Sequence, residues 1–229
     1  EMTKPKNMKK IYILILFAFL LILNACQKEK TVGLIAHNAM VVSARVEASK
    51  IGSDILQKGG NAYDAMIATH FALAVVYPVA GNIGGGGFMV YRNNDGTKGA
   101  LDFREKAPLT AYRDMYLDSL GNVIKNKSTL GVHAVGVPGS VAGTFEVYKK
   151  FGSLPFKDLI QPSVNLARNG FKITKKQARS LNSATKRFEK VNNYKTIFQK
   201  KWIEGDLLKQ EELAQTLERI RDFGRDGFY

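Results

Sequence analysis

The sequence predicts an α+β fold that becomes rich in helix after residue 138. Two short β-type runs joined by a turn predict a β-hairpin at residues 88–104. Apolar residues at helical spacing predict two helices before this hairpin and four after residue 138. A hydrophobic fraction of 45% and a charged fraction of 24% are typical of a globular protein. The 229 residues suffice for one compact domain, or most of one, once a leader is removed.

The leader predicts export and lipidation. Four lysines precede an apolar run of 13 residues, Ile11 to Leu23, which is shorter than the roughly 20 residues of a membrane-spanning helix. The following Leu-Asn-Ala-Cys resembles the bacterial lipobox, and Cys26 is the chain's single cysteine. We therefore predict a lipoprotein signal peptide over 1–25, a lipidated Cys26 with a tether over 26–32, and a location in the bacterial cell envelope, anchored to a membrane on its periplasmic or surface face. The alternative is an ordinary signal peptide or short anchor helix beside an incidental cysteine.

Residues 33–229 are predicted to form one domain that is truncated at its C-terminus. The sequence starts with Glu1 rather than methionine and stops at Phe228-Tyr229, directly after a predicted helix. Chain ends usually extend into water, and apolar aromatic residues are unusual there. We therefore expect a fragment that is truncated at both ends.

Small and apolar residues over 31–44 predict one or two strands. A helix is predicted from Val46 to the glycines at 59–60, which supply its C-terminal stop. Asn61 is predicted to cap the next helix, 62–76. That helix is apolar on nearly all sides, so we expect it to be buried. The short connection predicts that the two helices run antiparallel.

The hairpin follows a glycine-rich loop. This loop, 81–87, reads Gly-Asn-Ile-Gly-Gly-Gly-Gly. A phosphate-binding loop needs a helix directly after its glycines, whereas here a strand is predicted over 88–92. The glycines are therefore interpreted as sites of close backbone approach. A turn at 93–96 and a second strand at 100–104 complete the hairpin.

Four helices are predicted in the second half. Ser140 is interpreted as the N-cap of a helix that runs to about Phe151. A nucleophile-elbow interpretation is disfavoured because Ala142 stands where that motif needs glycine. The other helices are predicted over 156–168, 174–190 and 209–223.

The net charge of +14 includes a concentrated basic stretch over 172–201. Ten basic residues stand there against the single acidic Glu189. A solvated helical face is the favoured interpretation. The alternative is a surface for nucleic acid or for an anionic membrane, and a protein held near lipid headgroups would gain weakly from this charge. No aromatic or glycine pattern typical of nucleic-acid modules is interleaved, so no nucleic-acid partner is predicted.

The candidate binding residues are at the end of the second hairpin strand, in Asp102-Phe103-Arg104-Glu105. The planar guanidinium of Arg104 suits a carboxylate, and strand alternation would let Asp102 orient it. From these residues alone, a plain ion pair at a strand end is the favoured interpretation. The three histidines lack metal-ligand spacing, and His70 is interpreted as a hydrogen-bonded core residue. We predict no metal and no cofactor.

Six motifs, taken in order from about residue 33 to the end, together resemble the large-subunit half of the γ-glutamyltransferases, also known as glutathione hydrolases. They lie at residues 59–65, 81–89, 102–108, 136–143, 161–170 and 227–229.

The resemblance implies a four-layered αββα fold of the N-terminal-nucleophile hydrolases, of which this chain is the large-subunit portion. It implies a precursor that cleaves itself, and a freed threonine that attacks γ-glutamyl amides such as glutathione. The γ-glutamyl group then passes to water or to an amino acid. The resemblance places the arginine that binds the substrate's α-carboxylate at Arg104, with Asp102 and Glu105 in support.

No catalytic residue is expected within this chain. The implied partners are glutathione and other γ-glutamyl compounds, the protein's own small subunit, and the lipid bilayer through Cys26. The chain alone is expected to be inactive. The alternatives are an acylase-like amide hydrolase of the same superfamily, or a lipid-anchored protein that binds γ-glutamyl peptides without cleaving them.

Overall fold

A computed structural model describes residues 33–229 together with Tyr12, Leu16 and Phe17. The predicted signal peptide as a segment, and Cys26 with the whole of its tether, lie outside these described residues. The chain divides into two units, Glu1–Ala39 and Met40–Tyr229. In the first unit, residues 33–39 are exposed and contain no helix or strand.

The second unit contains six α-helices and four short strands among the described residues. In chain order they are α1 (Val46–Gln57), α2 (Ala62–Val76), β1 (Phe88–Arg92), β2 (Lys98–Asp102), α3 (Ser140–Phe151), α4 (Phe156–Asn169), β3 (Phe171–Lys172), α5 (Lys175–Val191), β4 (Leu207–Leu208) and α6 (Glu211–Phe223). Two short 3-10 helices span Val132–Ala134 and Gly224–Gly227. The predicted helix-rich α+β architecture is confirmed.

Helix α2 is the centre of the core, and it packs against α1, α3 and α4. Its prediction as a buried helix is confirmed, since Ile67, Phe71 and Val75 are fully buried. The predicted cap is also confirmed. The side chain of Asn61 accepts hydrogen bonds from the backbone of Tyr63 and Asp64, and the Asp64 carboxylate accepts one in return from the Asn61 backbone.

Helix α4 packs against both α2 and α6, and these contacts extend the core. Leu159, Ile160, Leu217 and Ile220 are fully buried between these elements. On their exposed side, Arg168 of α4 donates to both Glu211 and Glu218 of α6. These paired carboxylates raise the pKa of Arg168 above its ordinary value.

The strands form two separate antiparallel pairs. β1 pairs with β2 in the register Phe88–Asp102 through Arg92–Lys98, and β3 pairs with β4 through Phe171–Leu208. The inner face of the hairpin packs on α3, with a cleft of about 340 Å³ lined by Met89, Tyr91 and Phe151, among others.

Three local predictions are wrong. Residues 33–44 contain no strand, because no described strand lies beside them to complete a hydrogen-bond ladder. The second hairpin strand covers 98–102 rather than 100–104, so Arg104 lies beyond its end. Ser140 is the first helical residue rather than the N-cap. Gly139 takes that place and makes no side-chain cap.

Candidate functional site

The candidate site is built on the segment that leaves β2. Beyond Asp102 the pairing with β1 continues for one more residue, since Phe103 and Gly87 exchange backbone hydrogen bonds of 2.9 and 3.3 Å. Further along, Lys106 and Val137 exchange two more, of 3.0 and 2.8 Å. Arg104 and Glu105 therefore lie on a short bridge whose two ends are both hydrogen-bonded.

Two glycines hold this bridge from different loops. A Cβ on Gly86 would lie 2.7 Å from the Arg104 Cα, and a Cβ on Gly139 would lie 1.9 Å from the Phe103 carbonyl oxygen. Both distances are shorter than any side chain tolerates, so only glycine allows this approach. The interpretation of the glycine loop as a site of close backbone approach is confirmed.

The two loops are also joined to each other. The carbonyl of Gly85 accepts hydrogen bonds from the backbone of Gly139 and of Ser140, at 2.8 and 3.0 Å. These donors belong to the start of α3, whose first N–H groups have no partner within the helix. The glycine-rich loop, the bridge and the N-terminus of α3 thus form one hydrogen-bonded unit.

The side chain of Arg104 is 65% exposed. Its guanidinium carbon lies 5.8 Å from the ring centroid of Phe88, over the ring. Its Nε lies 3.6 Å from a carboxylate oxygen of Glu105, which is a loose ion pair. Most of the guanidinium donors therefore face solvent and are available to a carboxylate ligand.

Asp102 does not contact this guanidinium. Its carboxylate instead accepts a hydrogen bond of 2.9 Å from the backbone N–H of Arg104. The prediction that Asp102 and Arg104 share one face of the strand is wrong because the regular strand ends at Asp102. Asp102 can therefore fix the backbone on which Arg104 stands, while Glu105 is the carboxylate beside the charged group.

Three aromatic residues of this region were given no role by the sequence analysis. Phe88 lies beneath Arg104, Phe103 packs against Gly87 and Gly143, and the hydroxyl of Tyr229 donates to the Pro138 carbonyl at 2.6 Å. The motifs at 81–89, 102–108 and 227–229 contained them, but spacing gave no sign that they meet.

His70 is partly buried beside this unit, with its Nε2 hidden from solvent and its ring 6.4 Å from that of Phe103. The predicted core position is met only in part, since the residue as a whole stays partly exposed, and the prediction of a hydrogen-bonded side chain is wrong. Its Nε2 has no hydrogen-bond partner among the described residues, and the rings of Phe71 and Phe103 lie edge-on to the imidazole, with centroids 6.1 and 6.4 Å away. Burial lowers its pKa from the ordinary 6.5.

Within the described part of the chain, no cluster of three or more His, Cys, Asp or Glu residues could hold a metal. Over those same residues, no helix is both long and apolar enough to cross a membrane.

Comparison with known proteins identifies the family. A family model described as gamma-glutamyltranspeptidase matches residues 48–229. The glutathione hydrolase proenzyme of Pseudomonas sp. (strain A14) is 50% identical over 198 residues, which are 85% of this chain and 34% of that protein. The chain thus spans about a third of the length of the curated relatives it matches.

Solved structures agree with this assignment. The chain resembles Helicobacter pylori gamma-glutamyltranspeptidase at 45% identity with a TM-score of 0.81, over 86% of this chain and 57% of that one. It resembles the Pseudomonas nitroreducens enzyme at 43% identity with a TM-score of 0.79, over 85% of this chain and 58% of that one. On the extent of the sequence match and the agreement of the folds, the chain belongs to the gamma-glutamyltranspeptidase family.

Proposed function

We propose that this chain is the N-terminal part of a glutathione hydrolase precursor, and that Arg104 binds the α-carboxylate of the γ-glutamyl donor. The observation that carries the proposal is the exposed guanidinium of Arg104 on a bridge held at both ends. A planar fork with free donors suits a carboxylate, and a fixed backbone lowers the entropy lost on binding. The family relatives carry the name glutathione hydrolase.

In the proposed reaction, the hydroxyl of a threonine from the rest of the protein attacks the γ-glutamyl amide carbon. The C–N bond breaks, the amine leaves with a proton, and a γ-glutamyl ester remains on the enzyme. Water or an amino acid then takes the γ-glutamyl group and frees the threonine. This chain contributes the carboxylate anchor, with Asp102 fixing the Arg104 backbone and Glu105 setting the position of the guanidinium.

We further propose that the hairpin β1–β2 is part of a larger sheet in an αββα sandwich of the complete protein. The outer face of the hairpin is exposed and carries two large apolar side chains, Phe88 and Val90, which are 64% and 84% accessible. Adding strands and a second sheet would cover such a face.

The test of the substrate site is Arg104→Ala in the complete protein. Loss of a charge-assisted carboxylate contact of about 2–4 kcal/mol predicts a fall in kcat/KM for glutathione of about 30-fold to 1,000-fold. Glutamate release is the readout. The matched control is Arg113→Ala, an arginine whose side chain is 95% exposed and forms only a loose 3.6 Å pair with Asp114, and which should keep wild-type kinetics.

The same assay separates the alternatives. If Arg104→Ala leaves kcat/KM unchanged, the assignment of Arg104 is wrong. If the complete wild-type protein releases no glutamate from glutathione, the proposed activity is wrong, and acyl β-lactams and related amides are the next substrates to test. Binding of a γ-glutamyl peptide without any cleavage would support the binding-protein alternative. The chain of residues 1–229 alone is expected to release no glutamate.

We also propose that the protein is exported and anchored through a lipidated Cys26. The support is the sequence of the leader, with its lysines, its short apolar run and its lipobox. Cells fed an alkyne-tagged fatty acid should incorporate the tag into the wild-type protein but not into Cys26→Ser. Equal labelling of both proteins would exclude Cys26 as the acylated residue.

A further inference from the structure

Helix α5 carries a strongly basic face that the proposed enzymatic function does not use. All ten basic side chains between residues 172 and 201 are exposed. Six of them belong to α5. Lys175, Arg179, Lys186 and Lys190 follow one another at spacings of four, seven and four residues, so they share one face of the helix. Lys176 and Arg187 flank this face on one side.

The opposite face of α5 is fixed to the rest of the protein. Ala178 is buried and Leu181 packs against the core. The Gln177 side chain donates to the Val76 carbonyl at 2.8 Å. Asn182 lies on the basic face itself, between Arg179 and Lys186, and it exchanges two hydrogen bonds of 2.9 Å with the backbone of Trp202. The basic face must therefore point away from the core.

The basic surface continues beyond the helix. Because Asn182 holds the Trp202 backbone, the preceding Lys200 and Lys201 lie beside α5. The Lys200 ammonium lies 3.9 Å from the centroid of the Trp202 ring, which holds it close to the surface.

These cations lack the partners that basic residues have on other helices. Lys50 of α1 pairs with Asp54, Lys149 of α3 with Glu146, and Arg168 of α4 with two glutamates. No basic residue between 172 and 201 forms an ion pair with any described residue. Burying so many cations under another part of the protein would require matching carboxylates, so this face belongs at a surface.

We propose that the basic face of α5, with Lys200 and Lys201, docks the protein onto an anionic phospholipid surface. Clusters of four to eight lysines and arginines on an amphipathic helix are the form that anionic lipid headgroups recognise. The fit is one of charge complementarity along a flat helical face, with no deep pocket required. The leader predicts export to the envelope, where a bilayer rather than a nucleic acid is the large anionic surface at hand.

The test uses the complete protein carrying Cys26→Ser, so that no acyl chain contributes. Its binding to phosphatidylcholine vesicles is compared with binding to vesicles that contain about 30% phosphatidylglycerol. The leader is the same in every variant, so the gain from phosphatidylglycerol isolates the electrostatic part. We expect a clear gain for the parent protein, and its loss as salt rises from about 0.1 M to 0.5 M, where charges are screened over a shorter distance.

The decisive variant replaces Lys175, Arg179, Lys186 and Lys190 with glutamine, which is also a good helix former. The matched control replaces Lys58, Lys98, Lys125 and Lys157 with glutamine. These four are exposed, form no ion pair with a described residue, and change the net charge by the same amount. In the α5 variant, the phosphatidylglycerol-dependent affinity should fall by at least about tenfold. In the control variant, the same affinity should fall much less.

Three outcomes would overturn the proposal: no gain from phosphatidylglycerol in the parent, an equal loss in both variants, or a salt-independent gain. Tighter binding of a DNA duplex than of the anionic vesicles, lost in the α5 variant, would instead assign the face to nucleic acid. Glutathione hydrolysis by the same variants reports whether they fold, and it should stay at the parent level. The membrane proposal and the enzymatic proposal can therefore fail separately.

Discussion

At the scale of single residues, Gly139 allows the start of α3 to pack closely against the bridge that carries Arg104. Gly139→Ala would place a methyl group 1.9 Å from the Phe103 carbonyl oxygen, so the bridge or α3 must move. Overpacking of this kind costs about 1–3 kcal/mol. Urea unfolding should show that loss. Gly85→Ala is the control. Its added carbon would meet its nearest neighbour at an ordinary 3.4 Å, so a cost below about 1 kcal/mol is expected.

His70 predicts a pH dependence of stability. Burial lowers its pKa in the folded protein, while the unfolded chain keeps the ordinary 6.5. Below that value the unfolded state binds the proton more readily, so the free energy of unfolding must fall as pH falls below 6.5 toward the lowered pKa. His70→Leu should flatten this slope between about pH 7.5 and pH 5.5. An equal slope in both proteins would show that His70 is not its source.

At the scale of secondary-structure elements, Asp64 joins the start of α2 to the connection between α3 and α4. Its fully buried carboxylate accepts hydrogen bonds from the backbone of Asn61 at the start of α2 and from the backbone and hydroxyl of Ser153, between α3 and α4. Asp64→Ala leaves these donors without their acceptor, which should cost about 2–4 kcal/mol. Asp54→Ala, which breaks only an exposed pair within α1, should change the unfolding free energy little.

The elements themselves were largely predictable from local signals. Asn61, Gly59 and Gly170 mark helix ends through capping and left-handed backbone, and these signals act within a few residues. Ser140 and the end of β2 were not predictable in this way. Each is set by contacts between loops that are distant in sequence, above all the approach of Gly139 to the Phe103 carbonyl.

The candidate site was predictable only in part. Arg104 stood out through a family motif, and the structure places it on an exposed bridge. Whether it binds substrate stays a prediction. The alternation argument misplaced the Asp102 carboxylate because it assumed that the strand continues. Phe88 reaches this region through the pairing of the predicted hairpin, whereas Tyr229 reaches it only through the overall folding, which no local pattern encodes.

At the scale of the whole molecule, the outer face of the hairpin presents two exposed apolar side chains near the site. Phe88 and Val90 stand side by side on it, since alternate residues of a strand share a face. We expect residues 1–229 alone to bind a hydrophobic dye there. Phe88→Ser with Val90→Thr should weaken the dye signal. Val46→Thr with Val132→Thr, at scattered exposed positions, should not.

The glycine contacts around residues 103–105 also bear on how this protein could acquire new specificity. Gly86 and Gly139 meet the main chain there and leave the Arg104 side chain in open space. A mutant library at position 104 can therefore vary the chemical group offered to a ligand without disturbing its point of attachment. A library at position 86 or 139 would instead displace the backbone at Arg104, and it would leave the chemical group offered to the ligand unchanged. Laboratory evolution toward other acyl donors should accordingly find its productive variants at position 104 and few at the two glycines.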